Sequence, residues 1–260
     1  MYKIIEYDEI DSTNDEAKRL IRKAVEEQGG LSLPDLYGTV IVAHRQSSGH
    51  GRRRRSFVSP GKGSVYASFI LQSEVLKEAT QAPFALLITS LTAVAICEAI
   101  EQTTSCSPTI KWVNDVFVDG KKVAGIFAES IPRAVILGIG VNINLDENDL
   151  PEDLREKAGS LKMDTDERGR FVGVLIESIF RCVNAKDTAD ATTLMDEYRR
   201  RSILLGRRIV IERENETRPA VASEIADDGA LIVEYQDGTV EELRSGEISI
   251  RLSSQEPFSG

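Results

Sequence analysis

Asp119 and Gly120, set between Val116–Val118 and Lys121–Phe127, are the strongest fold signal in this chain. The pair supplies the two positive-φ residues of a two-residue hairpin turn, and the apolar runs on either side supply its strands. An antiparallel pair is therefore predicted, with Lys121, Lys122 and Gly125 on its second arm. Further strands are expected at residues 2–7, Gly38–Ala43, Ser64–Leu71, Thr109–Val113 and Val135–Asn144, each a short run rich in apolar and β-branched residues. Gly138 and Gly140 in the last of these mark places where a ligand or another backbone can come close.

Ser12 or Thr13 can cap a helix whose apolar stripe is Ala17, Leu20, Ile21, Ala24 and Val25, ended by Gly29 and Gly30. Residues 82–101 are apolar on most faces, as suits a helix packed on a sheet, and two more helical stretches fall between 168 and 203. From 207 to 252 the pattern changes to short strands with turns at Asp228–Gly229 and Asp237–Gly238, which predicts a small β-barrel. The expected organisation is an α+β domain over 1–204, a mixed sheet with helices, followed by a barrel domain over 205–260.

The segment His44–Lys62, between two core strands, holds five arginines, one lysine and three glycines but no acidic residue, in a chain of net charge -10. Cations kept clear of carboxylates, beside glycines that let backbone N–H groups turn toward a ligand, suit a polyanionic small molecule. The acidic whole argues against a broad nucleic-acid or anionic-lipid footprint and favours a focused pocket. A solvated basic loop is the alternative that these residues alone leave open.

Cys97, Cys106 and Cys182 fit neither CxxC spacing nor an even-numbered disulfide framework, and with His44 and His50 the only histidines no zinc site is expected. The cysteine usage reads as a reducing cytoplasm. No apolar run is expected to approach the roughly 18 residues that span a bilayer, and the N-terminus shows no signal-peptide pattern. A membrane partner is not expected. The common nucleotide motifs fail as well: Gly61–Ser64 lacks the upstream glycine and the hydroxyl directly after Lys62 of a phosphate loop, and neither Gly49–Gly51 nor Gly138–Gly140 continues to a third glycine.

Six separated segments, Asp11–Asn14, Gln46–Arg52, Ser59–Gly61, Lys111–Asp115, Lys121–Gly125 and Gly138–Asn142, closely resemble in order and wording the biotin protein ligases, the biotin-[acetyl-CoA-carboxylase] ligases. The resemblance covers nearly the whole chain. It implies a catalytic domain similar to that of class II aminoacyl-tRNA synthetases and an SH3-like C-terminal barrel. It also implies an activity: biotin is joined to ATP as biotinyl-5'-adenylate, and then passed to one lysine of a biotin carboxyl carrier protein domain.

On matching positions, the resemblance implies that Ser12, Thr13, Asn14 and Gln46 line a biotin pocket, with Gly49, His50 and Gly51 beside them. Chemically this fits, because the ureido ring is neutral and needs paired donors and acceptors on short side chains. Gly125 and Gly138 would allow a close backbone approach. Arg52 and Lys122 match the cations that hold the biotin carboxylate against the α-phosphate, a catalytic task because two anions must meet. Lys111, Asn114, Asp115 and Asn142 match the ATP side, with Arg55 and Phe57 as the outer part of the loop. Asp115 is expected to help place Mg2+ or ATP. Trp112 is read as a core aromatic.

The family loop most often reads Gly-Arg-Gly-Arg-Arg-Gly-Arg and then Trp, where this chain has His50, Arg54 and Phe57 in place of an arginine, a glycine and the tryptophan. His50 can be neutral near pH 7, so the charge there is not fixed by the sequence. Two other readings stay open. A lipoate or octanoate ligase of the same superfold would need a pocket for a long acyl chain, against which the polar Ser12–Asn14 group and Gln46 weigh. A nucleic-acid-binding module built on the Arg run would call for exposed aromatics and a basic surface, against which 6% aromatics and the net charge weigh. With no helix-turn-helix ahead of the first strand, no DNA partner is expected. A homodimer and the identity of the carrier are left open.

Overall fold

The structure is a computed structural model that describes residues 2–27, 34–49, 51, 63–72, 84–132, 134–146, 148, 150–184, 188–213, 216–244 and 249–252. Strands β1 (Lys3–Tyr7), β2 (Thr39–Ala43), β3 (Ser64–Gln72), β4 (Thr109–Lys111), β5 (Asp115–Val118), β6 (Lys121–Ile131) and β7 (Ala134–Asn142) form one sheet in the order β1-β2-β3-β7-β6-β5-β4. β1 runs parallel to β2 and every other neighbour is antiparallel. The expected hairpin joins β5 to β6, with φ of +51° at Asp119 and +75° at Gly120, the left-handed pair that matches the twist of the strands.

Helix α1 (Thr13–Glu27) starts just after Ser12, whose Oγ lies 3.4 Å from the Asp15 amide. Ala17 and Ile21 pack on Ile41, Ile70, Ala134 and Ile136 of the sheet, flanked by Leu20 and Ala24. Val25, expected in the same stripe, is 41% exposed. It stands roughly 100° around the helix axis from Ala24, past the edge of the covered face. The glycines expected to end the helix, Gly29 and Gly30, lie outside the described residues.

Helices α2 (Phe84–Thr103), α3 (Glu152–Arg155), α4 (Thr165–Val183) and α5 (Thr188–Arg201) complete the first part. The main core is formed by the sheet's other face and α2, α4 and α5, among them Phe69, Val94, Ile96, Leu137, Phe171, Ile179 and Tyr198. The expectation that no apolar run reaches membrane-spanning length needs correcting, because Leu86–Thr103 in α2 has the length and hydropathy to do so. That stretch is 78% buried inside the protein, which makes it a core helix. Cys97 and Cys182 are free thiols in this core, and burial pushes both up to about 12.

Beyond α5, strands β8 (Arg208–Arg213), β9 (Glu216–Ile225), β10 (Leu231–Tyr235), β11 (Val240–Leu243) and β12 (Ser249–Leu252) form an antiparallel sheet in the order β11-β10-β9-β8-β12. It is the small all-β unit expected from the turn spacing, with β9 longer than the Ala220–Ala222 run that marked it. This sheet is not a free appendage. Arg199 Nε in α5 donates to the Ile225 carbonyl at 2.7 Å, and a Cβ at Gly229 would come within 2.9 Å of Ser90 Oγ on α2.

Candidate active site

Residues paired across an antiparallel sheet share a face, and so do residues two apart on a strand. On one face Val65, Ala67, Ile139, Val141, Ala124 and Ile126 are buried under the helices. The opposite face changes character along its length. Where α1 covers it, it carries Ile41, Ile70 and Ile136. Beyond α1 it carries Ser68 on β3, Gly138 and Gly140 on β7, Gly125 and Phe127 on β6, Asp115 on β5 and Lys111 on β4. That tract crosses four strand spacings, about 19 Å. Its middle is bare glycine and its two ends are polar.

At one end, the β1–β2 pairing continues past both strands in the same parallel register, so that Ile10 bridges Gln46. Ser47 and Ser48 amides donate to the carbonyls of Ile10 and Asp11 at 2.9 Å. This ladder brings the start of the basic loop to the start of α1. Gln46 Oε1 accepts from the Thr13 amide at 2.7 Å, with Thr13 Oγ1 at 3.1 Å. Ser68 Oγ lies 2.7 Å from Thr13 Oγ1 and 2.6 Å from Asn14 Oδ1, and Asn14 Nδ2 donates to Glu129 Oε2 at 2.8 Å. Ser12, Thr13, Asn14 and Ser68 are all buried. Gly138 is required here, since a Cβ on it would sit 2.3 Å from Asn14 Oδ1.

At the other end, a register shift between Val116 and Phe117 pairs Lys122 with Phe117, which swings Lys122 onto the face of Asp115. Lys122 Nζ lies 2.6 Å from Asp115 Oδ1, an ion contact that falls short of an aligned hydrogen bond. Lys111 faces Asp115 across β4 and β5. Burial lowers the Lys111 pKa, opposed by Asp115, reinforced by Lys122 and opposed again by Glu212 of the C-terminal sheet. Asn114 and Ile126 exchange hydrogen bonds at 3.0 Å, Nδ2 to carbonyl and amide to carbonyl, which fixes the turn ahead of β5. Asn142, at the end of β7, donates from Nδ2 to the Gly159 carbonyl at 3.0 Å, so its amide braces the segment that pairs with the Lys122 backbone.

Of the residues singled out in the sequence, Thr13, Asn14, Gln46 and Gly138 meet directly, and Gly125, Lys111, Asp115 and Lys122 share the face that continues from them. Gly49 is buried and Gly51 half-buried at the mouth of the loop. His50, Arg52, Arg55 and Phe57 lie outside the described residues. Both stems of the loop are tied to α4: Arg168 Nη2 meets His44 Nδ1 and donates to the Ser64 carbonyl at 3.0 Å. Among the described residues no group of three or more His, Cys, Asp or Glu could hold a metal ion.

Two members of this tract escaped the sequence reading, Ser68 and Glu129, while Gly140, marked there as a place of close approach, proves to be the neighbour of Gly125. Ser68 was visible as a polar residue at a buried strand position. Glu129 lies two beyond Phe127, where the hairpin arm was taken to end, and it shares that residue's face only because β6 continues to Ile131.

Residues 10–146 match the Biotin/lipoate A/B protein ligase family, and residues 204–251 match the Biotin protein ligase C terminal domain. The Bifunctional ligase/repressor BirA of Bacillus subtilis is 30% identical over 238 residues, covering 88% of this chain and 70% of that protein. The Biotin--[acetyl-CoA-carboxylase] ligase of Mycobacterium tuberculosis is 27% identical over 213 residues, 79% of this chain and 77% of that protein. In three dimensions the chain is similar to the biotin protein ligase of Aquifex aeolicus solved in complex with biotin and ATP, with TM-score 0.78, 25% identity, and coverage of 97% of this chain and 100% of that one. With both its catalytic sheet and its C-terminal sheet matched, the chain belongs to the biotin protein ligases.

Proposed function

We propose that this ligase forms biotinyl-5'-adenylate from biotin and ATP in the tract described above and transfers biotin to one lysine of a biotin carboxyl carrier protein domain. A carboxylate oxygen of biotin attacks the α-phosphorus, the bond to the β-phosphate breaks, and pyrophosphate leaves. The carrier amine then attacks the carbonyl carbon, AMP leaves, and the amine gives up a proton. What carries this reading is the polarity of the tract: the neutral side chains of Thr13, Asn14, Gln46 and Ser68 at one end, braced by Glu129, glycines in the middle, and Lys111 and Lys122 beside Asp115 at the other end.

Ser12, Thr13, Asn14 and Gln46 would hold the ureido ring, and the glycines Gly49, Gly51, Gly125 and Gly138 would admit the ligand close to the backbone. Lys122 and Arg52 would offset the repulsion between the carboxylate and the α-phosphate, where fixed positive charge stabilises the transition state more than the separated reactants. Lys111, Asn114, Asp115 and Asn142 lie toward the nucleotide, with Arg55 and Phe57 assigned there by sequence alone, as His50 is to the biotin side. Mg2+ enters as a companion of ATP. One carboxylate, Asp115, fits an ion held mainly by phosphates. We place the domain boundary near residue 204 and the enzyme in the cytoplasm.

Purified protein incubated with biotin and ATP should yield biotinyl-adenylate by mass spectrometry and, with a carrier domain added, one biotinylated lysine. Absence of both products sinks the reading. Because the family match spans biotin and lipoate ligases, the same assay run with lipoate in competition decides the acid: biotin should win.

A further inference from the structure

Within the biotin-ligase reading, the chain of polar groups at the Thr13 end has a proton count that one residue decides. Three oxygen pairs are in contact: Asn14 Oδ1 with Ser68 Oγ at 2.6 Å, Ser68 Oγ with Thr13 Oγ1 at 2.7 Å, and Thr13 Oγ1 with Gln46 Oε1 at 3.1 Å. Only the two hydroxyls bring protons to these three contacts. The amide oxygen of Gln46 is fixed in place, because the Thr13 backbone N–H donates to it at 2.7 Å.

The orientation of Asn14 is the remaining freedom. If its amide were reversed, Nδ2 would donate to Ser68, Ser68 to Thr13, and Thr13 to Gln46, and every contact would hold a proton. Glu129 forbids this. Its Oε2 accepts from Asn14 Nδ2 at 2.8 Å, and a carboxylate has no proton to give in return, so Asn14 must turn its oxygen toward Ser68. The other oxygen, Oε1, is held 2.8 Å from Lys18 Nζ, which also contacts Asp15 at 3.2 Å. Burial opposes the charge on Lys18, but the Glu129 and Asp15 carboxylates outweigh it and raise its pKa. Lys18 thus holds Glu129 in place.

We propose that Glu129 is the positioning residue of the pocket: by holding the Asn14 oxygen toward Ser68 it leaves one of the three oxygen contacts without a proton, so that an oxygen of Asn14, Ser68 or Thr13 keeps a lone pair open, which selects a ligand that brings N–H donors. The ureido ring of biotin carries two N–H groups, and a cyclic urea is the chemistry this deficit fits. Glu129 acts through Asn14 and needs no contact with the ligand.

The test measures KM for biotin and for ATP separately in adenylate formation by the full chain. Glu129→Ala frees Asn14 to reverse, and is expected to raise KM for biotin about 10-fold or more while KM for ATP stays within about 2-fold, the scale of one mismatched buried hydrogen bond. Glu129→Gln, whose amide oxygen can still accept from Asn14, should lie within about 3-fold of wild type for biotin. An unchanged biotin KM in Glu129→Ala, equal losses in the Ala and Gln variants, or a parallel rise of both KM values would overturn the assignment. Should Glu129→Ala fail to fold, Glu129→Asp takes its place, too short to reach Asn14 and Lys18 together, with the same expected rise and the same overturning results. Inactive wild-type protein would instead sink the ligase chemistry itself, so the two failures are distinguishable.

Discussion

Trp112 donates its indole N–H to the carbonyl oxygen of Gly229 at 2.8 Å, tying the strand end that precedes Asp115 to a turn of the C-terminal sheet. Both partners are fixed independently of this bond. Trp112 is buried in the main core, and Gly229 has a φ of +85° and sits against Ser90 and Leu86.

Trp112→Phe keeps the packing but leaves that carbonyl without its donor, and should lower stability by about 1–3 kcal/mol. Gly229→Ala should cost at least as much, since it combines a left-handed backbone with a Cβ 2.9 Å from Ser90 Oγ. Urea denaturation of the two variants checks this, and a stability equal to wild type in both would mean that the two sheets are joined by other contacts.

At the glycine centre of the tract, Gly138→Ala puts a methyl group 2.3 Å from Asn14 Oδ1. Asn14 has no room to yield while Ser68 and Glu129 hold its two ends. Biotin affinity should therefore fall about 10-fold or more with little change in ATP affinity. Titration calorimetry of biotin alone measures it, and unaltered binding would remove Asn14 from the pocket.

Lys122→Ala should slow adenylate formation by about 100- to 1000-fold, the scale of losing one charge-stabilising donor, and Arg52→Ala by a similar factor. Rapid-quench measurement of pyrophosphate release gives the rate. Either variant turning over at the wild-type rate takes that cation out of the reaction.

Acid stability depends on Glu197 in α5. Hydrogen bonds from Arg200 and then from Arg201, against the opposing effect of burial, hold its carboxyl down from the ordinary 4.5 to about 2. A carboxylate with a depressed folded-state pKa contributes stability that is fully present above the ordinary value and is lost as pH falls through the folded one. Glu197→Gln should therefore lower stability at neutral pH and flatten its decline between pH 4.5 and 2. Denaturation midpoints across that window check the slope, and parallel curves for the two proteins would refute it.

The hairpin at Asp119–Gly120, the strands beside it and the start of α1 were legible in the sequence, because turn chemistry, period-two patterning and capping residues act over a few neighbours. The hydropathy of Leu86–Thr103 is a property of the sequence, but its burial as a core helix was not legible there, and neither was the exposure of Val25, since both depend on what each helix packs against. At the site, Thr13, Asn14, Gln46, Gly138, Lys111, Asp115 and Lys122 were picked out by type and family resemblance. Their partners Ser68 and Glu129 were not, because a serine in a buried strand and a glutamate beyond a hairpin arm are unremarkable until the strands pair.

By itself the sequence determined which local elements form and which residue types the chemistry can draw on. Only the tertiary structure decided which of those residues face one another. The parallel register of β1 and β2 carries Gln46 to Thr13, the shift at Val116–Phe117 turns Lys122 toward Asp115, and the continuation of β6 brings Glu129 to Asn14. The physical reason is the two-residue period of a strand: slipping one residue in register moves a side chain to the other face, so the composition of a site is set by pairings between strands far apart in the chain.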